Sequence, residues 1–153
     1  MTFLVALLIG VVAGSRTMTA PAAVAWGAWL GWIDLSPTWA AFMGSGWALA
    51  VFSVLALAEY VTDQLPSTPS RKVPAQFGGR IVSGGFCGAV LGAAVGASPI
   101  GLVAGVIGAV AGTLGGAALR GRLAAAFGSD RPAAFLEDAA AIALGLLAVG
   151  MAT

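Results

Sequence analysis

The sequence contains no histidine and only one cysteine, Cys87. The lack of histidine excludes catalysis by Ser-His or Cys-His pairs and most transition-metal sites. One cysteine allows no intrachain disulfide and does not provide a thiolate metal site. None of the glycines leads into the Gly-Lys-Ser/Thr of a phosphate-binding loop. We therefore expect no cofactor and no metal, and we do not expect an enzyme, since only carboxylates and arginines could do its chemistry.

Charged residues are scarce as well. They make up 8% of the 153 residues, whereas a soluble domain carries roughly 25%. The hydrophobic share is 59% and the mean hydropathy is +0.99. A chain this short has too much surface to cover in water with so few charges. The composition predicts a multi-pass membrane protein whose partner is the lipid bilayer. The net charge of +1 and the lack of a basic tail give no indication of nucleic-acid binding.

Hydrophobic blocks along the chain have the length of membrane-spanning helices, about 20 residues with a range of about 17–25. They cover 17–33, 39–62, 80–97, 100–119 and 133–151, and a shorter block covers 2–13. The pattern predicts an all-α fold. We expect a single polytopic transmembrane bundle over 1–153, with about six membrane segments and a broken or short first helix.

The first helix is expected to break because its two blocks together are too long. Joined, they would form a helix of about 45 Å at 1.5 Å per residue, which exceeds the roughly 30 Å hydrocarbon core. We place the break at Gly14 and Pro21, because glycine loosens a helix and proline removes a hydrogen-bond donor. Residues 1–14 have no Lys or Arg before their apolar core, so we expect them to be retained rather than cleaved as a signal peptide.

The distribution of Lys and Arg predicts the orientation. Spanning helices would place the polar loop 64–78 and the loop 120–131 on one side, together with the basic residues. The positive-inside rule assigns that side to the cytoplasm. The turn 34–39 and the carboxyl terminus then face the opposite side. The amino terminus lies there too with six segments, or in the cytoplasm if the first block only dips into the membrane.

Glycines recur every four residues along two consecutive segments. They are Gly84, Gly88, Gly92 and Gly96, then Gly101 and Gly105, then Gly108, Gly112 and Gly116. Such small-residue spacing is typical of a glycine zipper, which lets helix backbones approach closely in lipid. We expect these segments to form a close antiparallel hairpin, with packing inside one chain or across a homodimer. A glycine-lined permeation path is the alternative interpretation.

Arg16 interrupts the first hydrophobic stretch, inside the segment GSRTMTAP. An arginine at the bilayer centre costs about 2.5–3.5 kcal/mol on insertion scales. Thr17 and Thr19 offer hydroxyl groups where a broken helix leaves backbone groups unpaired. Glu59 and Asp63 are four residues apart and therefore share a helix face. We expect Arg16 to face a polar cavity shared with these two carboxylates.

A second copy of this pattern lies downstream. Gly78-Gly79-Arg80 with Ser83 repeats Gly14-Ser15-Arg16 with Thr19, and an acidic pair, Glu137 and Asp138, follows it. The repeat suggests two related halves, 1–63 and 79–153, as in many transporters.

The candidate substrate or ion pathway comprises Arg16, Thr17, Thr19, Glu59, Asp63, Arg80, Ser83, Glu137 and Asp138. In the alternative interpretation, these charges only neutralise one another and hold the helices in register. We expect Asp34, Arg120 and Arg122 to be ordinary interfacial residues.

Several of these segments resemble a known family. GSRTMTAPA, AEYVTDQLPSTPSRKVP, GRIVSG and LED together resemble small bacterial integral membrane proteins described as domain of unknown function 4126. The resemblance covers nearly the whole chain, and its most specific part is A-E-x-x-x-D-x-x-P-x-x-P. It implies a bacterial inner-membrane location and supplies no activity, substrate or catalytic residue.

Three functions remain open at this point. The first is a small transporter or channel for an ion or small charged solute, acting as a homodimer. The second is a structural or accessory membrane protein that transports nothing. The third is an intramembrane enzyme acting on lipid, for which no nucleophile–base spacing is present.

Overall fold

A computed structural model describes residues 1–64 and 73–152 of the chain. Over these residues the protein is helical and contains no strand, which confirms the all-α prediction. The helices are α1 (Thr2–Ser15), α2 (Thr19–Trp29), α3 (Gly46–Thr62), α4 (Pro74–Ala93), α5 (Ser98–Phe127) and α6 (Asp130–Gly150), with a short 3-10 helix at Ala41–Gly44. Most of the predicted loop 64–78 lies outside the described residues, and α4 already begins within its last part.

Two of the described helices, α5 and α6, are long and apolar enough to cross a membrane. Helices α1 and α3 are apolar but shorter. Helix α2 has 11 residues, about 16 Å of helix, which is too short to cross a hydrocarbon core of roughly 30 Å by itself. The expectation that block 17–33 is a full span is therefore wrong, and the total of six spans stays a prediction.

The helix break lies at residues 16–18, between α1 and α2. Arg16 follows the last residue of α1 with an extended backbone, at φ −137° and ψ 108°. Pro21 lies in the first turn of α2, where its missing N–H removes no helical hydrogen bond. Gly14 remains inside α1, so the chain leaves the helix two residues after the predicted glycine.

At the break the chain reverses its direction. Gly27, near the end of α2, lies against the side chain of Val149 near the end of α6. Met1 and Val5, at the start of α1, line a small cavity with Met151 at the same end of α6. Helices α1 and α2 are therefore antiparallel neighbours, and the 16–18 connection lies at the opposite end of the bundle from Met1 and Ala152.

Glycines let α4 and α5 pack with their backbones in contact. A Cβ atom added to Gly88 would meet the carbonyl oxygen of Gly101, and one added to Gly105 would meet that of Gly84. A Cβ atom on Gly92 would lie 2.5 Å from the carbonyl oxygen of Ala97. These contacts leave no room for side chains, so the predicted close hairpin is present inside one chain.

Further along α5, glycines face α1 instead. Added Cβ atoms on Gly108 and Gly112 would meet the carbonyl oxygens of Leu7 and Val11. The recurring glycines therefore hold three helices, α1, α4 and α5, in one tight group. Gly96 is an exception, because it lies in the turn between α4 and α5 at φ +69°, a left-handed conformation that favours glycine.

The segment between α2 and α3 is a folded connection. Block 39–62 was expected to be helical throughout, but α3 begins only at Gly46. Met43, in the 3-10 helix, is fully buried. The rings of Trp39 and Phe42 pack against Phe86 of α4 at centroid distances of 6.2 and 6.3 Å. These aromatic contacts join the connection to α4, and the Ser45 hydroxyl caps the start of the helix that follows by accepting a hydrogen bond from the Ala48 N–H.

Asp34 lies in the same connection and is exposed. Its carboxylate accepts hydrogen bonds from the hydroxyl and the backbone N–H of Ser36, at 2.5 and 3.0 Å. These bonds favour the charged form and hold the pKa of Asp34 below its ordinary value. Asp34 is thus a turn residue, remote from the break.

Helix α5 extends beyond its hydrophobic block. It continues through Arg120 and Arg122 to Phe127 and ends at Gly128, which adopts φ +67°. Thirty residues correspond to about 45 Å of helix. The predicted loop 120–131 is wrong, because the alanine-rich stretch after Arg122 is a strong helix former and the helix stops only at a glycine that tolerates a left-handed turn.

Candidate functional site: an ion-pair cluster at the helix break

The predicted site residues gather around the 16–18 connection. The ends of α1, α2 and α3 meet there, together with the amino-terminal parts of α4 and α6. The residues concerned are Arg16, Thr17, Thr19, Glu59, Asp63, Arg80, Ser83, Glu137 and Asp138. Sequence spacing predicted their presence in one half of the bundle, and the structure decides which of them touch.

Arg16 is fully buried and surrounded by carboxylates. Its Nη1 atom pairs with Oδ2 of Asp63. Its Nη2 atom lies 2.5 Å from Oδ1 of Asp138 and 3.8 Å from Oε2 of Glu137. The Asp138 contact is an ion pair without hydrogen-bond alignment, because within the described residues neither atom has a hydrogen-bond partner. The Tyr60 ring lies 5.9 Å from the guanidinium carbon and adds a cation–π contact.

Glu59 binds the backbone of the break. Its two carboxylate oxygens accept hydrogen bonds from the N–H groups of Thr17 and Met18, each at 2.8 Å. These donors precede α2 and have no partner within a helix. Among the described ion pairs, Glu59 pairs with Arg80, whose Nη2 lies 4.0 Å from Oε1, rather than with Arg16.

Arg80 binds the carbonyl groups on the α1 side of the break. Its Nη1 atom donates to the carbonyl oxygens of Gly14 and Ser15, at 3.0 and 2.7 Å. The Ser83 hydroxyl donates to the carbonyl oxygen of Thr17 at 2.6 Å. The last carbonyls of α1 would otherwise be left unpaired. Side chains of α3 and α4 thus satisfy the backbone groups that the break exposes.

The hydroxyls of the two threonines take different roles from those expected. Thr19 shares a hydrogen bond of 2.7 Å with the hydroxyl of Tyr60, which links α2 to α3. Thr17 contributes its backbone N–H and carbonyl to the contacts with Glu59 and Ser83. The connection is therefore fixed mainly through its main chain.

The second copy of the pattern is not a second break. Gly78, Gly79 and Arg80 lie inside the continuous helix α4, whereas Arg16 lies outside a helix. The local structures of the two copies differ, because α4 already begins at Pro74. Both arginines nevertheless lie at the helix break. Arg16 is its first residue, and Arg80 donates to the carbonyl oxygens of Gly14 and Ser15 just before it.

Arg120 belongs to the cluster, and the expectation that it is an ordinary interfacial residue is wrong. Its Nε and Nη2 atoms hold the carboxylate of Asp130 at 2.9 and 2.6 Å. Its Nη1 atom lies 3.3 Å from Oε2 of Glu137 and 3.4 Å from Oδ2 of Asp63. The helical continuation of α5 brings Arg120 there, and the helix-forming residues after Arg122 were the available signal. Arg122 itself is exposed, as expected.

An open groove reaches the cluster between α3 and α4. It has a volume of about 420 Å³, and its polar lining includes Thr17, Glu59, Asp63, Gln76 and Arg80. A second crevice, of about 500 Å³, runs between α1, α5 and α6 and is mostly apolar, with Arg120 and Glu137 among its lining residues. The carboxylates of Asp63 and Glu137 thus lie between the buried Arg16 and these openings.

This arrangement holds opposite charges together inside the bundle. Buried guanidinium and carboxylate groups from different helices neutralise one another, and removing one partner leaves the other without compensation. Within residues 1–64 and 73–152, no group of three or more His, Cys, Asp or Glu side chains could hold a metal ion.

No protein-family model, curated protein or solved structure was found to match the chain. The resemblance suggested by the sequence segments therefore stays a prediction, and the functional argument rests on the geometry of the cluster.

Proposed function

We propose that the chain is a multi-pass inner-membrane protein that moves a small ion or small charged solute through the cluster at the helix break. One observation carries the proposal: Arg16 is fully buried in a non-helical connection and is surrounded by carboxylates from α3 and α6. The inner-membrane location and the multi-pass topology of the chain are parts of the same proposal.

The surface of the bundle supports the membrane location. Large aliphatic side chains on α3 are mostly exposed, as Val54, Leu57 and Val61 are at 63–66%. Exposed apolar residues continue on α5 and α6, for example Val103 and Leu147. Such surface is unfavourable in water and favourable against lipid chains.

The free-energy cost of burying these charges supports a role beyond helix packing. Replacing a buried ion pair with apolar residues of similar volume is often neutral or stabilising. Ionisable residues inside membrane segments are accordingly rare and mark ion or substrate pathways by default. Discontinuous helices also line the binding sites of many transporters. The groove beside Asp63 supplies a route from outside the bundle to the cluster.

A second candidate function is a structural or accessory membrane protein. It is favoured by the contacts of Glu59, Arg80 and Ser83, which satisfy the backbone of the break without leaving it open for a solute. In that case the charges only lock the chain reversal in place.

Flux through proteoliposomes separates the two functions. The purified protein is reconstituted, gradients of protons, sodium, potassium or chloride are imposed, and uptake is followed with ion-sensitive dyes. We expect flux of at least one of these ions above that of empty liposomes. Asp63→Asn should abolish it, while the exposed control Arg122→Gln should retain it. Absence of flux for all four ions in a folded, reconstituted protein would support the structural role instead.

The melting temperature of Asp63→Asn in detergent sharpens this test. A transport site predicts loss of flux in a variant that still folds, whereas a structural lock predicts that the fold itself is lost. We also propose that the protein is a homodimer, which native mass spectrometry of the detergent-solubilised protein tests.

A further inference from the structure

Two arginines in the cluster contact the same two carboxylate oxygens. Oδ2 of Asp63 pairs with Nη1 of Arg16 and lies 3.4 Å from Nη1 of Arg120. Oε2 of Glu137 lies 3.8 Å from Nη2 of Arg16 and 3.3 Å from Nη1 of Arg120. Asp63 and Glu137 are thus shared between a guanidinium at the break and one on α5.

Each arginine also has a carboxylate that the other does not contact among the described ion pairs. Asp138 lies 2.5 Å from Arg16. Asp130 is held by Arg120 through two hydrogen bonds and is itself largely exposed. Arg120 is therefore anchored from the surface side, while Arg16 is anchored in the interior.

We propose that Arg120 is a positioning residue that keeps Asp63 and Glu137 paired whenever Arg16 turns away from them. The inference rests on the proposed function, in which Arg16 must change partners as a solute passes. A buried carboxylate that loses a charged partner is destabilised. Arg120 already lies within 3.3–3.4 Å of both shared oxygens, so Asp63 and Glu137 keep a guanidinium while Arg16 moves.

The local backbone fits this division of roles. Arg16 lies in the extended connection between two helices, whereas Arg120 lies inside the continuous helix α5. The two-pronged contact with Asp130 holds the Arg120 side chain beside the shared carboxylates independently of Arg16.

If Arg16 and Arg120 share the carboxylates of Asp63 and Glu137, each arginine should partly compensate for the loss of the other. Arg16→Gln and Arg120→Gln are compared, singly and combined, by thermal unfolding of the purified protein in detergent without any added solute. We expect Arg120→Gln to lower the melting temperature by about 3–6 °C. Arg16→Gln should lower it by more, because Asp138 also loses its contact with Arg16, and the double change should lower it by more than the sum of the two single losses. Strictly additive effects would overturn the proposal, because additivity indicates independent pairs.

Two further variants distinguish the contact of Arg120 with the shared carboxylates from its contact with Asp130. Arg120→Lys keeps a positive charge near the shared oxygens but cannot hold Asp130 through a two-pronged contact. We expect Arg120→Lys to retain most of the stability that Arg120→Gln loses, and Asp130→Asn to be mild. If Asp130→Asn reproduces the loss of Arg120→Gln and lysine does not restore it, Arg120 only joins α5 to α6 and the proposal fails.

The measurement stays decisive if the double variant does not accumulate. Arg120→Lys is then introduced into Arg16→Gln, where the Arg16 guanidinium no longer contacts the shared oxygens. We expect a larger loss of melting temperature there than in the wild type, and equal losses would overturn the proposal. Because no solute enters these experiments, the proposal can fail while the flux assay succeeds, and the reverse.

Discussion

Arg80 of α4 donates a hydrogen bond of 2.7 Å to the carbonyl oxygen of Ser15, the last residue of α1. Sixty-five residues separate the two in sequence. The contact gives the end of one helix a partner from another helix, at the point where the chain turns back on itself. The reversal between α1 and α2 therefore depends on side chains that are distant in sequence.

Removing the Arg80 guanidinium should destabilise the break. In Arg80→Gln, the carbonyl oxygens of Gly14 and Ser15 lose a charged donor inside the protein. Since a hydrogen bond to a charged group contributes about 1.5–3 kcal/mol, we expect the free energy of unfolding to fall by that order. Unfolding by denaturing detergent measures it, with Arg122→Gln as the control. Equal stability of the two variants would show that the contact does not hold the reversal.

Glu59 should act through its oxygens rather than through its charge alone. Glu59→Ala removes both acceptors of the Thr17 and Met18 N–H groups, and loss of such a contact at the start of a helix costs about 0.5–2 kcal/mol. Glu59→Gln keeps one acceptor, so its loss of stability should be smaller. If glutamine and alanine are equally harmful in the same unfolding assay, charge and not hydrogen bonding is what Glu59 contributes.

Alanine substitutions at two glycines of α5 should have opposite effects on stability. A Cβ atom on Gly105 meets the backbone of Gly84, whereas one on Gly115 meets nothing within 4 Å. Gly105→Ala should lower the free energy of unfolding by about 1–3 kcal/mol through overpacking. Gly115→Ala should raise it by about 0.5–1 kcal/mol, because alanine favours the helix. Melting in detergent compares the two, and a Gly105 variant as stable as the Gly115 variant would argue against a close contact of α4 with α5.

Membrane topology is tested by the two ends of α6. A reporter inserted at Ser129 should lie in the cytoplasm, as should one at Ser70, because the basic residues concentrate on that side. Reporters at Met1 and after Ala152 should share the opposite compartment, since Met1 and Ala152 line the same cavity. If reporters at Ser129 and Ala152 lie in one compartment, α6 does not cross the membrane.

Much of the fold follows from local patterns. The length of the first hydrophobic stretch predicted a break near Arg16, and the fourfold spacing of glycines predicted that α4 and α5 pack closely. Both features depend on the period and the length of a helix, which a single sequence displays directly. The helical continuation past Arg122 was also readable, from the alanines before Gly128, but the nearby charges suggested a loop.

The assignment of partners was decided only by the tertiary structure. Helical spacing placed Glu59 and Asp63 on one face, but it could not show that Glu59 binds the backbone of the break while Asp63 pairs with Arg16. Nor could it show that Arg120 reaches the carboxylates that Arg16 uses. Such choices depend on how far one helix slides along another and how it rotates about its axis. Packing of several helices together sets both quantities, so that no single segment of the sequence contains them.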